Sequence, residues 1–387
     1  MKKRFYVFTL LLWWQSVLVA QDNLDLQSRM PEAVSTTQLF VSDSFYTWCN
    51  SVIKGEDGRY HMFYSRWPHG KRTESDDSLN YIFNGFSGWL KYSEIAYAVS
   101  DNAAGPYRYV KTILRGSGNA GSWDRYTMHN PQIRKFGSSY YLYYISNSFD
   151  PAFRFSDNRK VSNDWLHWLR YNCTQKIGVL KAASIQALTE GRYEKPEMPV
   201  MQPDGVRTFE VTTNPSVTQG PDGKYYMMYK SRKPNVGNMT LWMAVSDRPD
   251  APFRLLGEVF TKAEMACEDP FLWYDKQRKR FYAIVKNYSA SGLLAPQFGA
   301  LALITSENGL QWKPAAHSVV SLRKLRVKGR PVTELAHLER PFLLFDRNGN
   351  PRVLFAAATI KEPGRDTEQV LRFDQNSFAI GFKLKAR

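Results

Sequence analysis

Short polar clusters alternate with apolar and strongly aromatic runs along the chain, and one such pattern recurs five times. Each copy starts with a polar pair that in most cases ends in proline, and then continues as an apolar run. The chain next turns at a segment rich in Asp and Gly and returns as an aromatic run. A turn signal between two strand-like runs predicts a β-hairpin. The five predicted hairpins span residues 50–64, 129–145, 213–229, 268–285 and 339–357.

A second motif extends most of these hairpins. Residues 95–106 (IAYAVSDNAAGP) are similar to residues 241–252 (LWMAVSDRPDAP), and residues 300–309 (ALALITSENG) are a third version. Each version predicts a third strand that ends at a Ser-Asp or Ser-Glu turn and is followed by an outer strand. Four strands per repeat make one blade of a β-propeller. We therefore predict an all-β fold, a five-bladed β-propeller with irregular loop insertions, with a β-sandwich or a split domain as the alternatives.

The same pattern predicts how the ring is completed. The insertions at residues 67–89 and 149–168 are expected to be rim loops. The strand-like segment 378–384 is expected to join the first blade. That pairing would close the ring and remove exposed sheet edges.

The composition agrees with a globular β protein. The chain has 387 residues, of which 43% are hydrophobic, 23% charged and 14% aromatic, and this balance excludes a disordered or fibrous chain. Three cysteines, Cys49, Cys173 and Cys267, are an odd number, so at least one thiol is unpaired within the chain. All three have apolar or aromatic neighbours, and we expect buried, unreactive thiols.

The first 20 residues have the features of a secretion signal. Lys2, Lys3 and Arg4 precede an apolar run from Phe5, and the chain turns polar after Ala20. We predict a signal peptide at residues 1–20, a single propeller catalytic domain at residues 21–387, and a secreted or periplasmic location. An uncleaved membrane anchor is the alternative. No stable membrane insertion is expected after signal cleavage.

The charge of the chain is strongly basic. There are 52 Lys and Arg against 36 Asp and Glu, a formal net charge of +16. The basic residues are scattered, however, so the charge pattern favours a solvated basic surface and no nucleic-acid partner. A basic surface also suits an acidic or sulfated carbohydrate.

The repeat motifs resemble those of a known group of enzymes. The segments DGRYHMFYSR, HNPQI, TNPSV, EDPFL and ERPFL are similar to the inner strands of five-bladed propeller glycoside hydrolases, in families 43, 62, 32, 68, 117 and 130. Those families act mostly on furanosides, fructans, arabinans, agar fragments and mannosides. The resemblance runs from about Ser42 to the C-terminus, and it implies a glycosidase that cleaves a terminal glycosidic bond of an oligo- or polysaccharide.

The chain departs from that group at important positions. In the arabinan and fructan families, acidic residues on the inner strands of the first three blades carry the reaction. By register, the corresponding residues here are Asn50, Asn130 and Asn214. An amide does not ionise, so none of them can act as an acid or base. The resemblance therefore implies a peripheral or uncharacterised branch, and the agar-fragment family, which uses a histidine acid, is one precedent.

The candidate catalytic residues follow from propeller geometry, because the starts of all inner strands meet at one mouth of the channel. Glycosidic cleavage normally needs one protonated carboxyl and one carboxylate. Asp269 shares the register of the three asparagines and is the first candidate. The candidate catalytic residues near the strand starts are Asp269, Glu339, Glu268 and Glu210.

Other polar and aromatic residues at the same strand starts are candidates for substrate binding. Amides offer sugar hydroxyls both a donor and an acceptor, and Arg340 is suited to clamp a carboxylate, sulfate or phosphate. Histidine can serve as an acid, a donor or a ligand, and tryptophan can stack on a sugar face. The candidate substrate-binding residues are Asn50, His129, Asn130, Asn214, His337, Arg340 and Trp48.

Two other functions stay open at this stage. The missing acidic residues favour a glycan-binding propeller without catalysis, and Arg340 with the basic balance favours a glycoside phosphorylase. The sequence has no phosphate-binding loop, zinc pattern or nucleophile elbow. We predict no cofactor and no metal site, and a cation bound in the propeller channel is left open.

Overall fold

Each of the five repeated turns joins two antiparallel strands, as the sequence predicts. Gly58 and Gly223 have φ values of 81° and 80°, in the left-handed region that a side chain disfavours, which explains why glycine closes these turns. The computed structural model describes residues 21–70, 79–155, 160–233, 239–360 and 377–386. The predicted signal segment, residues 1–20, lies outside the described residues.

The strands form five blades around a common axis, with a short hairpin between the last two. A first strand, β1 (Leu39–Phe40), precedes blade one. Blade one consists of β2 (Phe45–Lys54), β3 (Tyr60–Pro68), β4 (Glu94–Ser100) and β5 (Arg108–Leu114). Blade two consists of β6 (His129–Phe136), β7 (Ser139–Ser146) and β8 (Lys176–Ala182). Blade three consists of β9 (Phe209–Gln219), β10 (Tyr225–Arg232), β11 (Met239–Ser246) and β12 (Arg254–Glu258). Blade four consists of β13 (Cys267–Asp275), β14 (Arg280–Asn287), β15 (Leu301–Ser306) and β16 (Lys313–Ser321). The hairpin is β17 (Lys324–Arg326) with β18 (Val332–Glu334), and blade five contains β19 (His337–Phe345), β20 (Pro351–Thr359) and β21 (Phe378–Lys383).

The ring closes differently from the prediction. The segment predicted to join blade one is β21, and it pairs instead with β20 of blade five, where Val353 lies opposite Lys383. The strand β1 then pairs with β21, with Leu39 opposite Ile380, and so supplies the outer strand of blade five. An N-terminal strand in the last blade ties both ends of the chain into one sheet. A strand of two residues is too short to be recognised from a hydrophobic pattern.

The core lies between neighbouring blades rather than at the centre of the ring. The inner strands β2, β6, β9, β13 and β19 contact one another in that order, and β19 returns to β2. Apolar side chains fill the spaces between adjacent blades, for example Phe63 of blade one against Leu142 of blade two. Burial of this area drives the blades together, and it leaves the inner strands to line a central channel.

Four of the eight helices among the described residues lie in or at the end of the two insertions. The α-helices are α1 (Trp89–Tyr92), α2 (Asn163–Asn172) and α3 (Ile185–Thr189), and short 3₁₀ helices span Gln27–Arg29, Thr36–Gln38, Asn80–Phe83, Phe86–Gly88 and Ala263–Met265. Ser162 caps α2 by accepting a hydrogen bond from the backbone N–H of Trp165. None of the helices among the described residues is long and apolar enough to cross a membrane.

Candidate active site

One residue in each inner strand has a left-handed backbone conformation at an equivalent position. These residues have φ values between 54° and 58°, and they are Cys49, Asn130, Asn214, Asp269 and Arg340. Each lies at an irregularity in the pairing of the inner strand with the next strand. A β-bulge turns a side chain away from the regular alternation of the strand. Repeated in every blade, it directs five side chains toward one place.

The register of blade one corrects the sequence analysis. The residue equivalent to Asn130 and Asn214 is Cys49, not Asn50, because the left-handed conformation occurs at Cys49. Asn50 is buried one residue further along, and its Nδ2 donates to the backbone oxygen of Ala356 in blade five at 3.3 Å. Asn50 is not among the residues that line the central cavity. In the other four blades proline follows the left-handed residue, whereas asparagine does so here, and this difference explains the shift of one residue.

A chain of hydrogen bonds links the five left-handed residues. The Cys49 thiol donates to Oδ1 of Asn130 at 2.8 Å, and Nδ2 of Asn130 donates to Oδ1 of Asn214 at 2.6 Å. Nδ2 of Asn214 donates to Oδ1 of Asp269 at 2.6 Å, and Nη1 of Arg340 donates to the same oxygen at 3.0 Å. The donors all point toward Asp269, so the first three blades and the fifth hold this carboxyl in place.

Two further carboxylates stand beside Asp269, and lysines neutralise both. Glu268 accepts from Nζ of Lys286 at 2.9 Å and forms an ion pair with Lys230. Glu339 forms an ion pair with the same Lys286 and contacts Nδ1 of His337 at 2.9 Å. Since one ammonium nitrogen contacts both Glu268 and Glu339, the two carboxylates lie within two hydrogen bonds of each other. The structure thus brings together three of the four predicted catalytic residues.

The surroundings of these three carboxyl groups shift their pKa values in opposite directions. Burial raises the pKa of Asp269 above its usual range, and the charges of Glu268 and Glu339 add to this effect against the opposing Arg340. At Glu339 burial also acts upward, but Lys286 and His337 hold the pKa well below its usual range. Lys230 and Lys286 likewise lower the pKa of Glu268 despite its burial. Carboxyl groups whose pKa values are driven apart are suited to separate acid and carboxylate roles.

A cavity of about 220 Å³ opens over these groups. Asp269, Glu268, Glu339 and Arg340 line it from two neighbouring blades, and aromatic side chains form much of its wall. The aromatic lining residues are Trp48, Trp67, Phe86, Trp89 and Trp168. Phe86, Trp89 and Trp168 come from the two insertions, so these segments form walls of the mouth and not rim loops alone. Aromatic faces beside carboxyl groups suit the apolar face of a sugar ring.

Three buried polar atoms of the cavity lining have no hydrogen-bond partner among the described residues. They are Nδ2 of Asn172, Oε1 of Gln175 and Nε1 of Trp67. Nε2 of Gln175 donates to Oδ1 of Asn172 at 2.8 Å, which fixes the two amides relative to each other. Buried polar groups normally have partners, so two unpaired amide atoms in the wall of one cavity are unusual. Sequence analysis missed both residues, and the only signal was their place at the end of an aromatic insertion.

The cavity has a floor. Arg134 on the inner strand of blade two reaches across the axis, and its Nη2 donates to the backbone oxygen of Leu272 in blade four at 2.8 Å. Its guanidinium lies 4.6 Å from the ring centre of Phe271 and 5.7 Å from that of Phe342, in blades four and five. A side chain that connects blades not adjacent to its own must cross the channel. Arg134 therefore closes the channel below the carboxyl groups.

The remaining predicted residues have different positions. His129 lines the cavity, stacks on Trp89 with ring centres 4.8 Å apart and contacts Oγ of Ser93 through Nδ1 at 2.8 Å. Burial, with a contribution from Arg340, holds the pKa of His129 well below its usual range, so its ring is neutral near pH 7. His337 contacts Glu339 from behind and is not among the lining residues.

The structure does not bring Glu210 to the other carboxyl groups. Glu210 accepts from the Cys173 thiol at 3.5 Å and lies 3.7 Å from Nη1 of Arg232, and it does not line the cavity. The three cysteines are free and buried, as the sequence predicts. Within the described ranges, no group of three or more His, Cys, Asp or Glu side chains is arranged to hold a metal ion.

Comparisons with known proteins find matches to the fold of this chain but no match to its sequence among family profiles or curated proteins. No protein-family profile matches the chain, and no curated protein matches it either. Solved structures do match. A family 117 glycoside hydrolase of the marine bacterium Zobellia galactanivorans aligns with a TM-score of 0.55 and 16% identity, over 92% of this chain and 90% of that one. The catalytic domain of a family 62 α-L-arabinofuranosidase of Coprinopsis cinerea gives a TM-score of 0.56 at 11% identity, over 92% and 98% of the two chains.

A third similar structure is the endo-arabinase of Bacteroides thetaiotaomicron, with a TM-score of 0.52 and 9% identity over 92% of this chain and 99% of that one. At such identities the likeness concerns the fold, because unrelated activities can share a fold. All three alignments extend over nearly the whole of both chains. The protein has the five-bladed β-propeller fold of these glycoside hydrolases.

Proposed function

We propose that the protein is a glycoside hydrolase that cleaves a terminal glycosidic bond of an oligo- or polysaccharide. The observation that carries this proposal is the group of three carboxyls at the cavity, one with a raised pKa and two with lowered pKa values. A glycosidase needs a proton donor together with a carboxylate that stays ionised. Both kinds of group face one cavity here.

Asp269 is the proposed proton donor. Its Oδ1 accepts from Asn214 and Arg340, whereas within the described part of the chain its Oδ2 accepts only from the backbone N–H of Arg340, at 3.3 Å. Oδ2 is therefore the oxygen that can carry a proton and pass it to the leaving glycosidic oxygen. The carboxylate of Glu339 is proposed to oppose the positive charge that develops at the anomeric carbon and to orient the attacking water. Glu268 strengthens the negative potential beside it.

The shape of the cavity favours a chain end over an internal bond. Arg134 closes the channel underneath, and the insertions raise aromatic walls around the mouth. A blind pocket of about 220 Å³ has room for little more than a terminal sugar. The amides of Asn172 and Gln175 are proposed to bind its hydroxyls, together with the predicted binding residues Asn130, Asn214, His129 and Trp48.

The decisive experiment screens the purified protein against terminal and internal glycosides. The panel contains α-L-arabinofuranosides, arabinan, agar oligosaccharides and pectin-derived oligosaccharides, with released sugars detected by chromatography. Asp269→Asn and Glu339→Gln should each abolish product release. Asp275→Asn is the matched control, because Asp275 ends the same strand as Asp269 and forms its own ion pair with Arg278 at 2.8 Å. Full activity of both cavity variants would refute the proposal.

A glycan-binding protein without catalysis is the second candidate. The observation in its favour is that blades one to three carry Cys49, Asn130 and Asn214 at the converging positions, and that each remaining carboxyl already has a cationic partner. Binding of a panel member without any released sugar would support this candidate. Product formation that requires inorganic phosphate would instead indicate the predicted phosphorylase.

We also propose that the protein is exported, on the basis of the signal-like residues 1–20. Expression in a Gram-negative host followed by fractionation tests this point. N-terminal sequencing of exported protein should begin at Gln21. Retention in the cytoplasm with an intact N-terminus would contradict the proposal.

A further inference from the structure

A second, larger cavity lies beside the first on the same face of the propeller. It has a volume of about 550 Å³ and includes Phe45, Arg66, Glu94 and Arg115 in its lining. Phe45 starts β2 and Glu94 starts β4, whereas Arg66 and Arg115 lie at or just past the ends of β3 and β5. In antiparallel strands these four places are at one end of the blade. That end is also where the inner strands begin, so both cavities open at the same face.

The Arg66 guanidinium is fixed at the wall of this cavity. It is sandwiched between aromatic rings, 4.2 Å from the ring centre of Phe45 and 4.1 Å from that of Tyr109. Its Nε donates to Glu94 at 2.7 Å, and its Nη2 donates to the hydroxyl of Tyr109 at 2.9 Å. Its Nη2 also donates to Oγ1 of Thr112 at 2.8 Å, and a further hydrogen bond joins Arg66 to the side chain of Tyr64. Because the Arg66 side chain is only 11% exposed, this guanidinium is rigid and largely desolvated.

Among the described lining residues of this cavity, basic side chains outnumber carboxylates. Arg66, Lys91 and Arg115 face it together with one carboxylate, Glu94, among the described lining residues. Glu94 contacts Nε of Arg66 at 2.7 Å and Nε of Arg115 at 2.8 Å, so one negative charge is shared between two guanidinium groups. Guanidinium groups match carboxylate and sulfate geometry with paired hydrogen bonds. Aromatic side chains, among them Phe83 and Tyr126, complete the lining.

We propose that this second cavity binds an anionic sugar unit, either a uronate or a sulfated sugar, of the glycan whose end occupies the central cavity. The assignment of a sugar as ligand rests on the proposed function, whereas the preference for an anion rests on Arg66 and Arg115 alone. A single wall separates the two cavities, because Ser93 lines the second cavity and contacts His129 of the first at 2.8 Å. Adjacent units of one chain can thus occupy both.

Binding of small sugars tests this inference without any need for catalysis. The probes are D-galacturonate, galactose 6-sulfate and neutral galactose, titrated into the full-length protein by calorimetry at low and moderate salt. At least one anionic probe should bind ten times more tightly than galactose, and added salt should weaken its binding. The anion that binds more tightly identifies the source of the negative charge. Equal affinities for all three probes, or no binding by any of them, would overturn the proposal.

A matched pair of variants tests whether the anion binds in this second cavity. Arg115→Gln should weaken anion binding at least tenfold, and Arg108→Gln should leave it unchanged. Both side chains lie on blade one and are 68% and 66% exposed, so neither substitution threatens folding. Equal effects of the two variants would refute the site. Asp269→Asn should keep the anion affinity, so that loss of hydrolysis and loss of anion binding are separate results.

Discussion

Arg340 donates from Nη1 to Oδ1 of Asp269 at 3.0 Å, and its own backbone N–H donates to Oδ2 at 3.3 Å. The two residues occupy the same left-handed position in neighbouring blades, and the Asp269 side chain is buried whereas that of Arg340 is 11% exposed. The guanidinium is therefore directed at the carboxyl. Arg340 acts as a positioning residue for Asp269, and the anion clamp predicted for it from the sequence stays a prediction.

Replacement of Asp269 by Asn should separate catalysis from stability. The amide keeps the volume of the carboxyl and still accepts hydrogen bonds from Asn214 and Arg340, but it carries no transferable proton. We expect kcat/KM on a confirmed substrate to fall by about 10²–10⁴. The free energy of unfolding should fall by about 1–3 kcal/mol, because the buried hydrogen bonds that Asp269 accepts from Asn214 and Arg340 are weakened. Kinetics and urea denaturation measure the two effects, and a variant with unchanged kcat/KM would remove Asp269 from the mechanism.

We expect kcat/KM to fall on the alkaline side of the pH optimum. Hydrolysis needs protonated Asp269, whose pKa is raised, so kcat/KM declines as pH rises through that pKa. Glu339 stays ionised until well below its usual range and sets no limb near neutral pH. In Arg340→Gln the cation that lowers the Asp269 pKa is lost, so the alkaline limb should move to higher pH. A limb that does not move would show that another group titrates there.

Acid stability should depend on the carboxylates that share Lys286. The pKa values of Glu268 and Glu339 are lowered in the folded protein, so their contribution to stability is present above the unfolded pKa values and is lost as pH falls through the folded ones. We expect Glu339→Gln to reduce the free energy of unfolding by about 1–3 kcal/mol at pH 7. The difference from the wild type should shrink at pH 3 to 4, as followed by urea denaturation. A difference that is constant with pH would contradict the ion-pair interpretation.

Local sequence signals were sufficient to predict the five blades. Proline after Asn130, Asn214, Asp269 and Arg340, and glycine in the turn after the inner strand of every blade except blade four, report backbone conformations that are decided within a few residues. Five repeats of such signals predicted the five hairpins, and the converging residues followed from the ring geometry. Blade one lacks the proline, and the resemblance of Asn50 to the other asparagines then gave a register that was wrong by one residue.

Sequence patterns could not predict which residues surround the carboxyl groups of the site. Lys286 lies opposite Glu268 in the pairing of β13 with β14, whereas Lys230 of β10 reaches Glu268 from the neighbouring blade three. Asn172 and Gln175 lie between the second insertion and β8, in a segment whose path depends on packing against the blade. In the sequence, Arg134 is one more polar residue of a strand. Its position at the axis depends on closure of the ring. Tertiary contacts decide each of these positions, so no local preference reveals them.

The amides of Asn172 and Gln175 should show opposite effects on binding and stability. Each has one buried atom without a hydrogen-bond partner among the described residues, and such an atom costs about 1–3 kcal/mol. The double variant Asn172→Leu/Gln175→Met removes both atoms at similar volume. We expect an unchanged or higher melting temperature, together with at least a tenfold loss in kcat/KM. If stability falls and KM is unchanged, the two amides have a structural role only.

Arg134 should close the channel by its volume and not by its charge. Its Nε is buried without a partner among the described residues, and burial lowers the pKa of its guanidinium to about 10, so the charge is poorly compensated. Arg134→Met keeps a flexible chain over Phe271 and Phe342 and removes the charge. We expect this variant to unfold at the same or a higher urea concentration and to retain its activity within about twofold, because replacing a buried charge with a packed apolar side chain is often neutral or stabilising. Arg134→Ala leaves a cavity instead and should lose about 2–4 kcal/mol. If Arg134→Met lost activity while Arg134→Ala stayed as stable as the wild type, the guanidinium would serve the carboxyl groups electrostatically, and the floor of the cavity would have to be formed by other residues.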